Sequence, residues 1–117
     1  MTVSERLIHK QQDAFVDLPP MEIPNAFIGD AYTNPGGSEL AAGFFRMEPG
    51  EALDYEYTYD EMKVVLEGRF RLTDIDTGQV VDVGPRDVLH FPKGIRVRFE
   101  TPEGALAFYT GHRSFAP

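Results

Sequence analysis

The sequence predicts an all-β fold of the sandwich or barrel type. From residue 26 onward, short runs rich in β-branched and aromatic residues alternate with glycine, proline and aspartate. The runs recur about every ten residues, which is typical of antiparallel sheets and not of βαβ units. We therefore expect strands near residues 26–32, 39–47, 52–59, 61–67, 69–75, 79–83, 87–91, 95–100 and 105–111.

The segments between these strands have the composition of tight turns. Proline fixes a negative φ and glycine tolerates a positive φ, so the two together favour a reversal of the chain. The segment from Asp74 to Gly78 predicts a tight hairpin. The other predicted turns are Asn34-Pro35-Gly36-Gly37, Glu48-Pro49-Gly50, Val83-Gly84-Pro85, Pro92-Lys93-Gly94 and Pro102-Glu103-Gly104.

The first 25 residues form a separate N-terminal arm. Ser4 is placed to cap a short helix or turn over residues 5–14. Three prolines then end any helix: Pro19, Pro20 and Pro24. We expect the arm to be extended across the outside of the domain or across a partner subunit. The chain thus divides into the arm, residues 1–25, and one barrel domain, residues 26–117.

Two of the predicted strands carry information about their surroundings. Over residues 95–100, apolar and charged residues alternate, so the apolar set faces inward and the charged set faces solvent or a second subunit. Val64, Val65 and Leu66 instead form a continuous apolar run. Such a run predicts a strand that is covered on both faces.

The composition excludes several classes of function. Eleven Lys and Arg against nineteen Asp and Glu give the 117-residue chain a formal charge of −8, which argues against nucleic acid and anionic membranes as partners. The absence of cysteine removes disulfides, thiolate metal sites and a cysteine nucleophile. No apolar run is long enough to span a bilayer, and the N-terminus lacks the apolar core of a secretory signal. A cytoplasmic location is the expectation that remains.

Two segments in the middle of the chain resemble the two sequence motifs of the cupin superfamily. Residues 60–68, which contain Glu61 and Gly68, resemble the first motif, and residues 87–94 resemble the second. The similarity spans roughly residues 39–110. Within the cupins, the chain is most similar to the ethanolamine-utilisation proteins of the EutQ type, through Tyr59-Asp60-Glu61, Val65-Leu66-Glu67-Gly68 and Phe91-Pro92-Lys93-Gly94.

The resemblance implies a jelly-roll barrel, the double-stranded β-helix, with a pocket at its centre. It also implies a homodimer formed through edge strands, for which Arg96, Arg98 and the N-terminal arm offer contacts. Finally, it implies a link to ethanolamine utilisation and to an acyl-phosphate kinase activity. The sequence contains no segment that resembles a nucleotide site. Gly36-Gly37-Ser38, for example, lacks the lysine and the spacing of a phosphate-binding loop.

The resemblance also bears on metal binding. Typical cupins hold a divalent metal with three histidines and one glutamate, and these positions fall on Tyr55, Tyr57, Glu61 and Val97. Valine has no donor atom, and a neutral phenol is a poor ligand for a transition metal. We therefore predict no cofactor, with an atypical Glu, Tyr and His90 metal set as the alternative. Arg86 stands where the second motif has glycine.

Glu61 and Lys63 are the candidate catalytic residues. They are two positions apart on one strand, so both point into the barrel if either does. Tyr55 and Tyr57 share one face of the preceding strand and are candidate ligand-binding residues. A carboxylate and an ammonium inside a barrel can transfer protons or hold a small polar ligand. The alternative is an internal salt bridge with no function beyond structure.

His90 and Arg46 are further candidate ligand-binding residues. His90 lies in the second motif, where it either points into the barrel or forms a hydrogen-bonded part of the core. Arg46 could bind a carboxylate or phosphate, or could form a salt bridge at the rim. His112 and Arg113 end the last strand, where we expect a subunit interface or solvent.

Three functions remain open at this point. The first is a EutQ-like cupin that binds a small polar metabolite in its barrel, as an enzyme of amine or two-carbon metabolism without a histidine-bound metal. The second is a non-catalytic ligand-binding or assembly protein. The third is a metal-dependent enzyme that uses the Glu, Tyr and His90 set.

Overall fold

The computed structural model describes residues 8–15, 17–34 and 39–113. Over these ranges the chain forms strands and turns but no helix. The strands are β1 (Ala26–Thr33), β2 (Ala41–Met47), β3 (Leu53–Glu56), β4 (Glu61–Gly68), β5 (Phe70–Asp74), β6 (Val80–Val83), β7 (Val88–Phe91), β8 (Arg96–Glu100) and β9 (Ala105–Gly111). Each predicted strand is present. Only the third is clearly shorter than predicted, since it ends at Glu56 and not near residue 59.

The strands form two antiparallel sheets that face each other, which confirms the predicted all-β fold. One sheet has five strands in the order β1-β2-β9-β4-β7, and the other has four in the order β3-β8-β5-β6. The core between them is aromatic. The ring of Phe45 stacks on Phe70 at 5.7 Å and meets Phe99 edge-on at 5.4 Å. Burying one such ring stabilises the fold by about 1.5–3 kcal/mol.

The two strands singled out by their patterns behave differently. In β8 the prediction is confirmed, because Val97 and Phe99 are buried while Arg96 and Arg98 are exposed. In β4 the prediction of cover on both faces is wrong for the single chain. Val65 is buried, but the side chain of Leu66 is exposed on the far side of the strand.

The arm lies along its own domain. The predicted helix is absent from residues 8–13, which have no regular structure, and Ser4 lies outside the described residues. Further along, the arm pairs with the start of β1. Met21 donates to the carbonyl of Ala26 at 2.9 Å, and the carbonyl of Pro19 accepts from Ile28 at 3.1 Å. The arm therefore extends the five-stranded sheet at its β1 edge.

The turns follow the prediction where the structure describes them. Asp74 donates to the carbonyl of Gln79 at 2.8 Å and closes the hairpin, in which Gly78 has a φ of 78°. Arg86 has a φ of 74°, although it is not a glycine. The backbone thus keeps a left-handed conformation at the position where the cupin motif has glycine. The predicted turn at Asn34-Pro35-Gly36-Gly37 lies largely outside the described residues.

Candidate functional site

A small chamber lies between the sheets, near the β1 and β3 edges, and holds the polar groups of Glu61, Lys63 and three tyrosines among apolar side chains. Its free volume is about 10 Å³, which is room for about one water molecule. The lining residues are Met21, Ile28, Phe45, Leu53, Tyr55, Tyr57, Tyr59, Glu61, Lys63 and Phe99. Four of the residues predicted as functional are therefore brought together: Tyr55, Tyr57, Glu61 and Lys63.

Strand β4 supplies the two charges of the chamber. Glu61 and Lys63 alternate with the exposed Met62, so both point inward as predicted. Glu61 lies opposite Gly111 of β9. A Cβ atom at position 111 would stand 3.5 Å from Glu61 Oε1 and 3.3 Å from the ring of Tyr59. The glycine therefore leaves room for the carboxylate beside the tyrosine.

Glu61 and Lys63 form a buried ion pair in which Lys63 Nζ donates to Glu61 Oε2. Their side chains are 1% and 3% exposed, so water screens neither charge. Burial lowers the pKa of Lys63, and the negative charge of Glu61 opposes that shift. The ammonium is also within 5.1–5.8 Å of five aromatic rings, which favours the charged form: Phe45, Tyr57, Phe91, Phe99 and Tyr109.

The second oxygen of Glu61 has no such partner. Oε1 is buried and accepts no hydrogen bond from the described residues. A buried carboxylate oxygen without a donor costs about 1–3 kcal/mol, and more if it is charged. The chamber therefore contains one strong acceptor that a ligand bearing an N–H or O–H group would satisfy.

Tyrosines close the chamber on the β3 side. Tyr57 follows the end of β3, where its N–H donates to the carbonyl of Ile95 at 2.9 Å and its carbonyl accepts from Gly94 at 2.7 Å. Its ring stacks on Phe91 with centroids 4.7 Å apart, and its hydroxyl accepts from Lys63 at 3.3 Å. Burial, together with the neighbouring charge of Glu61, raises the pKa of Tyr57 well above its ordinary value.

Tyr55 and Tyr59 form the outer part of this wall. Their hydroxyl groups are 2.7 Å apart and share a hydrogen bond. Burial raises the pKa of both phenols, so both are neutral hydrogen-bonding groups at physiological pH. Tyr55 is half-buried and lies beside Met21 of the arm at the edge of the chamber.

A second polar cluster next to the chamber was not predicted. Asp30 of β1 accepts hydrogen bonds from Tyr109 at 2.6 Å and from two nitrogens of Arg113 at 2.8 and 2.9 Å. Arg113 is fully buried, so the expectation of solvent or an interface at this position is wrong. Its guanidinium carbon is 5.3 Å from the centre of the Tyr59 ring, which joins the cluster to the chamber wall.

A signal for this cluster was present in the sequence. The inward positions of β9 are the odd-numbered ones, such as Ala107 and Tyr109. Continuing that alternation past the strand end puts Arg113 on the inner side. Asp30 lies on the inner side of β1 together with Ala26 and Ile28, by the same alternation, and its carboxylate meets Arg113 there.

Two predicted site residues lie outside the chamber. Arg46 is on the outer face, where it donates to the carbonyl of Ala14 at 3.1 Å and pairs with Glu48 at 2.7 Å. It therefore holds the arm, and the salt-bridge alternative is the correct one. His90 is exposed and lies opposite Met62 on the outer side of β4. Both expectations for His90, that it points into the barrel or forms a hydrogen-bonded part of the core, are wrong, because the inward residues of β7 are Leu89 and Phe91.

The residues at the cupin metal positions do not fit a divalent transition metal. They are two phenols, the Glu61 carboxylate and the aliphatic Val97. No group of three His, Cys, Asp or Glu side chains comes together within residues 8–15, 17–34 and 39–113. Since His90 faces outward, it shares no site with Glu61, and the Glu, Tyr and His90 set is not assembled.

The facing sheets and the inward glutamate of β4 define the protein as a cupin. The sequence matches the family of ethanolamine utilisation protein EutQ over residues 4–114, and the chain belongs to that family. No curated protein sequence matches the chain. Within the parts of the chain that the structure describes, no helix is long and apolar enough to cross a membrane.

Solved structures agree with this assignment. A EutQ protein of Salmonella typhimurium LT2 is 28% identical, with a TM-score of 0.68, and the match covers 77% of this chain and 71% of that one. The EutQ protein of Clostridium difficile is 22% identical, with a TM-score of 0.67 and coverages of 76% and 68%. A cupin 2 barrel protein of Salinispora arenicola shares the fold at 16% identity, a TM-score of 0.70 and coverages of 90% and 88%.

Proposed function

We propose that this EutQ-family cupin binds a small polar metabolite in the chamber around Glu61 and Lys63, without a histidine-bound metal. The observation that carries the proposal is Glu61 Oε1, a buried acceptor with no hydrogen-bond partner among the described residues. A bound N–H or O–H group would satisfy this oxygen and offset the cost of burying it. Small amines and alcohols are therefore the chemical class that fits.

The size of the chamber restricts the ligand further. Space for about one water molecule admits a two-carbon compound only if the wall moves. Met21 and Tyr55 lie at the chamber edge and also line the open cleft between the arm and the barrel. Displacement of the Met21 side chain would connect the two spaces. The family name, which refers to ethanolamine utilisation, agrees with a ligand of this size.

The same residues suit an acid–base step in amine or two-carbon metabolism. Glu61 would accept a proton from the ligand, and the ammonium of Lys63 would stabilise the charge that develops beside it. The hydroxyl groups of Tyr55 and Tyr57, which their raised pKa values keep neutral, would donate hydrogen bonds to a ligand oxygen. In this scheme Lys63 and Glu61 touch the ligand, and the tyrosines orient it.

A second candidate function is a non-catalytic ligand-binding or assembly protein. The observation that favours it is the small free volume of the chamber, about 10 Å³, in which Glu61 and Lys63 already neutralise each other. Such a chamber would bind and release a ligand slowly and would not convert it to a product. The two candidates differ in whether a bound compound is changed.

Calorimetry and NMR on the purified protein separate these candidates. The probes are ethanolamine, ethylene glycol, glycolaldehyde and acetate, each titrated into wild type, Glu61→Gln and Asp54→Asn. Asp54 is the matched control, because it is an exposed acid that pairs with Arg98 at 2.7 Å. We expect an amine or alcohol to bind wild type and Asp54→Asn, and to bind Glu61→Gln at least tenfold more weakly.

Product formation is followed by NMR in the same samples. Turnover that Glu61→Gln abolishes supports the enzyme, whereas binding without turnover supports the non-catalytic alternative. Binding that is equal in wild type and Glu61→Gln contradicts a ligand at Oε1. The absence of binding for every probe contradicts the proposed class of ligand.

A further inference from the structure

Lys63 is a buried amine that is held by a proton acceptor on its own strand. Its Nζ donates to Glu61 Oε2 and, at 3.3 Å, to the hydroxyl of Tyr57. The side chain is 3% exposed, whereas lysine is almost never buried in proteins unless it is paired. The pair lines a chamber in which the other carboxylate oxygen, Glu61 Oε1, has no hydrogen-bond partner among the described residues. A nucleophile beside a base, next to a space for a reacting molecule, is the arrangement that covalent catalysis uses.

The contact with Glu61 gives Lys63 a direct route from ammonium to reactive amine. Nζ and Oε2 share one hydrogen bond, so transfer of that proton turns the lysine into an amine and the carboxylate into an acid. The transfer removes two buried charges and creates none, which the low dielectric of the interior favours. Burial lowers the pKa of Lys63, the charge of Glu61 opposes that shift, and the charge of Arg113 adds to it. An exposed lysine has no such partner, and only about one in a thousand is an amine at pH 7.5.

We propose that Lys63 forms a reversible Schiff base with a small 2-hydroxyaldehyde in the chamber. The reaction depends on the proposed function, because the ligand must enter the same chamber. A lysine amine is the side chain that condenses with a carbonyl group, and Glu61 Oε1 can accept from the neighbouring hydroxyl of the ligand. In the adduct that hydroxyl oxygen is three bonds from Nζ. It is therefore within reach of a carboxylate whose other oxygen already contacts Nζ.

The residues of the chamber supply every proton transfer that the reaction needs. Glu61 takes a proton from Lys63, the lone pair of Nζ bonds to the carbonyl carbon, and the carbonyl oxygen receives the π electrons and then the proton from Glu61. Glu61 next moves a second proton from Nζ to the same oxygen, and the C–O bond breaks to release water as the Nζ lone pair forms the C=N bond. The product is a protonated imine beside the Glu61 carboxylate. Because this imine has the same single positive charge as the ammonium, the ion pair and the contacts with the five surrounding rings are kept.

Reductive trapping followed by peptide mapping tests the proposal on the full chain. Sodium cyanoborohydride delivers hydride to the imine carbon and converts the adduct with glycolaldehyde into a stable hydroxyethyl amine. The chain has three lysines, of which Lys10 and Lys93 are exposed and serve as internal controls. At pH 7.5 we expect Lys63 to be modified at least tenfold faster than Lys93. Burial alone predicts the reverse order, because it hides Lys63 from the reagent.

Two comparisons test whether the chamber is responsible. Acetaldehyde lacks the hydroxyl that Glu61 Oε1 would bind, so the rate at Lys63 relative to the rate at Lys93 should be at least tenfold lower than with glycolaldehyde. Met21→Ala should widen the edge of the chamber and speed the modification of Lys63 alone. The matched control is Met62→Ala, the same change at a methionine that is 51% exposed on the outer side of β4.

Each outcome either supports or overturns the Schiff base. Faster modification of Lys63 than of Lys93, with a clear preference for glycolaldehyde, supports it. Slower modification of Lys63 in both wild type and Met21→Ala overturns it, as does an equal ratio of the two lysines with the two aldehydes. The proposed function fails separately: if ethanolamine or ethylene glycol binds and Glu61→Gln weakens that binding, but Lys63 is not modified, only the Schiff base is contradicted.

Discussion

Arg113 and Asp30 are 83 positions apart in the chain, yet they form a double hydrogen bond inside the barrel, at 2.8 and 2.9 Å. The arginine is fully buried, and the carboxylate of Asp30 also accepts from Tyr109 at 2.6 Å. The cluster joins the first strand to the segment after the last strand. It therefore ties together the two ends of the described barrel through charge rather than through apolar packing.

Asp30→Asn should lower the free energy of unfolding by about 3–5 kcal/mol, since it leaves the buried guanidinium of Arg113 without a counter-charge. Urea denaturation measures the change. Asp82→Asn is the control, because it breaks an exposed pair with Arg71 and should cost less than about 1 kcal/mol. Equal losses in the two variants would contradict a special role for the buried pair.

A double-mutant cycle on Glu61 and Lys63 should show strong coupling. Glu61→Leu and Lys63→Met each leave one buried charge unpaired, at a cost of about 3–5 kcal/mol. The double variant removes both charges and should cost clearly less than the sum of the single changes. Unfolding in urea at pH 7.5 gives the three free energies. The comparison is the same cycle on an exposed pair, with Asp54→Asn and Arg98→Met. Additive changes in the free energy of unfolding at Glu61 and Lys63 would contradict the predicted coupling between the two side chains.

Tyr57 should make the protein less stable in alkali. Its pKa in the folded state lies above the ordinary value of about 10, so the unfolded chain loses the phenolic proton first as the pH rises. The free energy of unfolding should fall above pH 10 by about 1.4 kcal/mol per pH unit from this group alone. Tyr57→Phe should show a shallower decline between pH 8 and pH 11, with Tyr32→Phe as the control. If the free energy of unfolding falls with pH equally in wild type and Tyr57→Phe, the loss of stability in alkali does not come from Tyr57.

Arg86→Gly should stabilise the protein. A left-handed backbone costs a non-glycine residue about 1–2 kcal/mol, and part of the gain is offset by the freedom of glycine in the unfolded chain. We expect a net rise of about 0.5–1 kcal/mol in urea denaturation. Arg86→Ala is the control, because alanine loses the side chain and keeps the strained φ. A similar rise in the free energy of unfolding in both variants would mean that loss of the arginine side chain, and not relief of the backbone conformation, stabilises the protein.

The sequence predicted well the features that depend on local patterns. Alternation located the strands, and it placed Glu61 and Lys63 together on the inner face because their spacing of two matches the period of a strand. The prediction failed where contacts between distant segments decide which way a side chain points. Arg46 and His90 are on strands whose inner face was not evident, and both proved to be on the outer side.

Two further misses have the same origin. Asp30 and Arg113 are 83 positions apart, and no local pattern indicates that two such distant residues pair. The exposure of Leu66 depends on what covers the sheet from outside. A continuous apolar run indicates that a strand has two apolar faces, but it does not say whether the cover comes from the same chain.

Met21 links the interior of the barrel to its exterior. The arm that carries this side chain is fixed at Ala14 by Arg46 on the outer face, and Met21 itself rests against the polar chamber. The backbone hydrogen bonds of Met21 and Pro19 to β1 hold this side chain in place, so a smaller residue at position 21 would widen the opening without changing Glu61, Lys63 or the tyrosines. If the chamber binds the ligand proposed above, the arm then controls entry to it separately from the groups that hold the ligand.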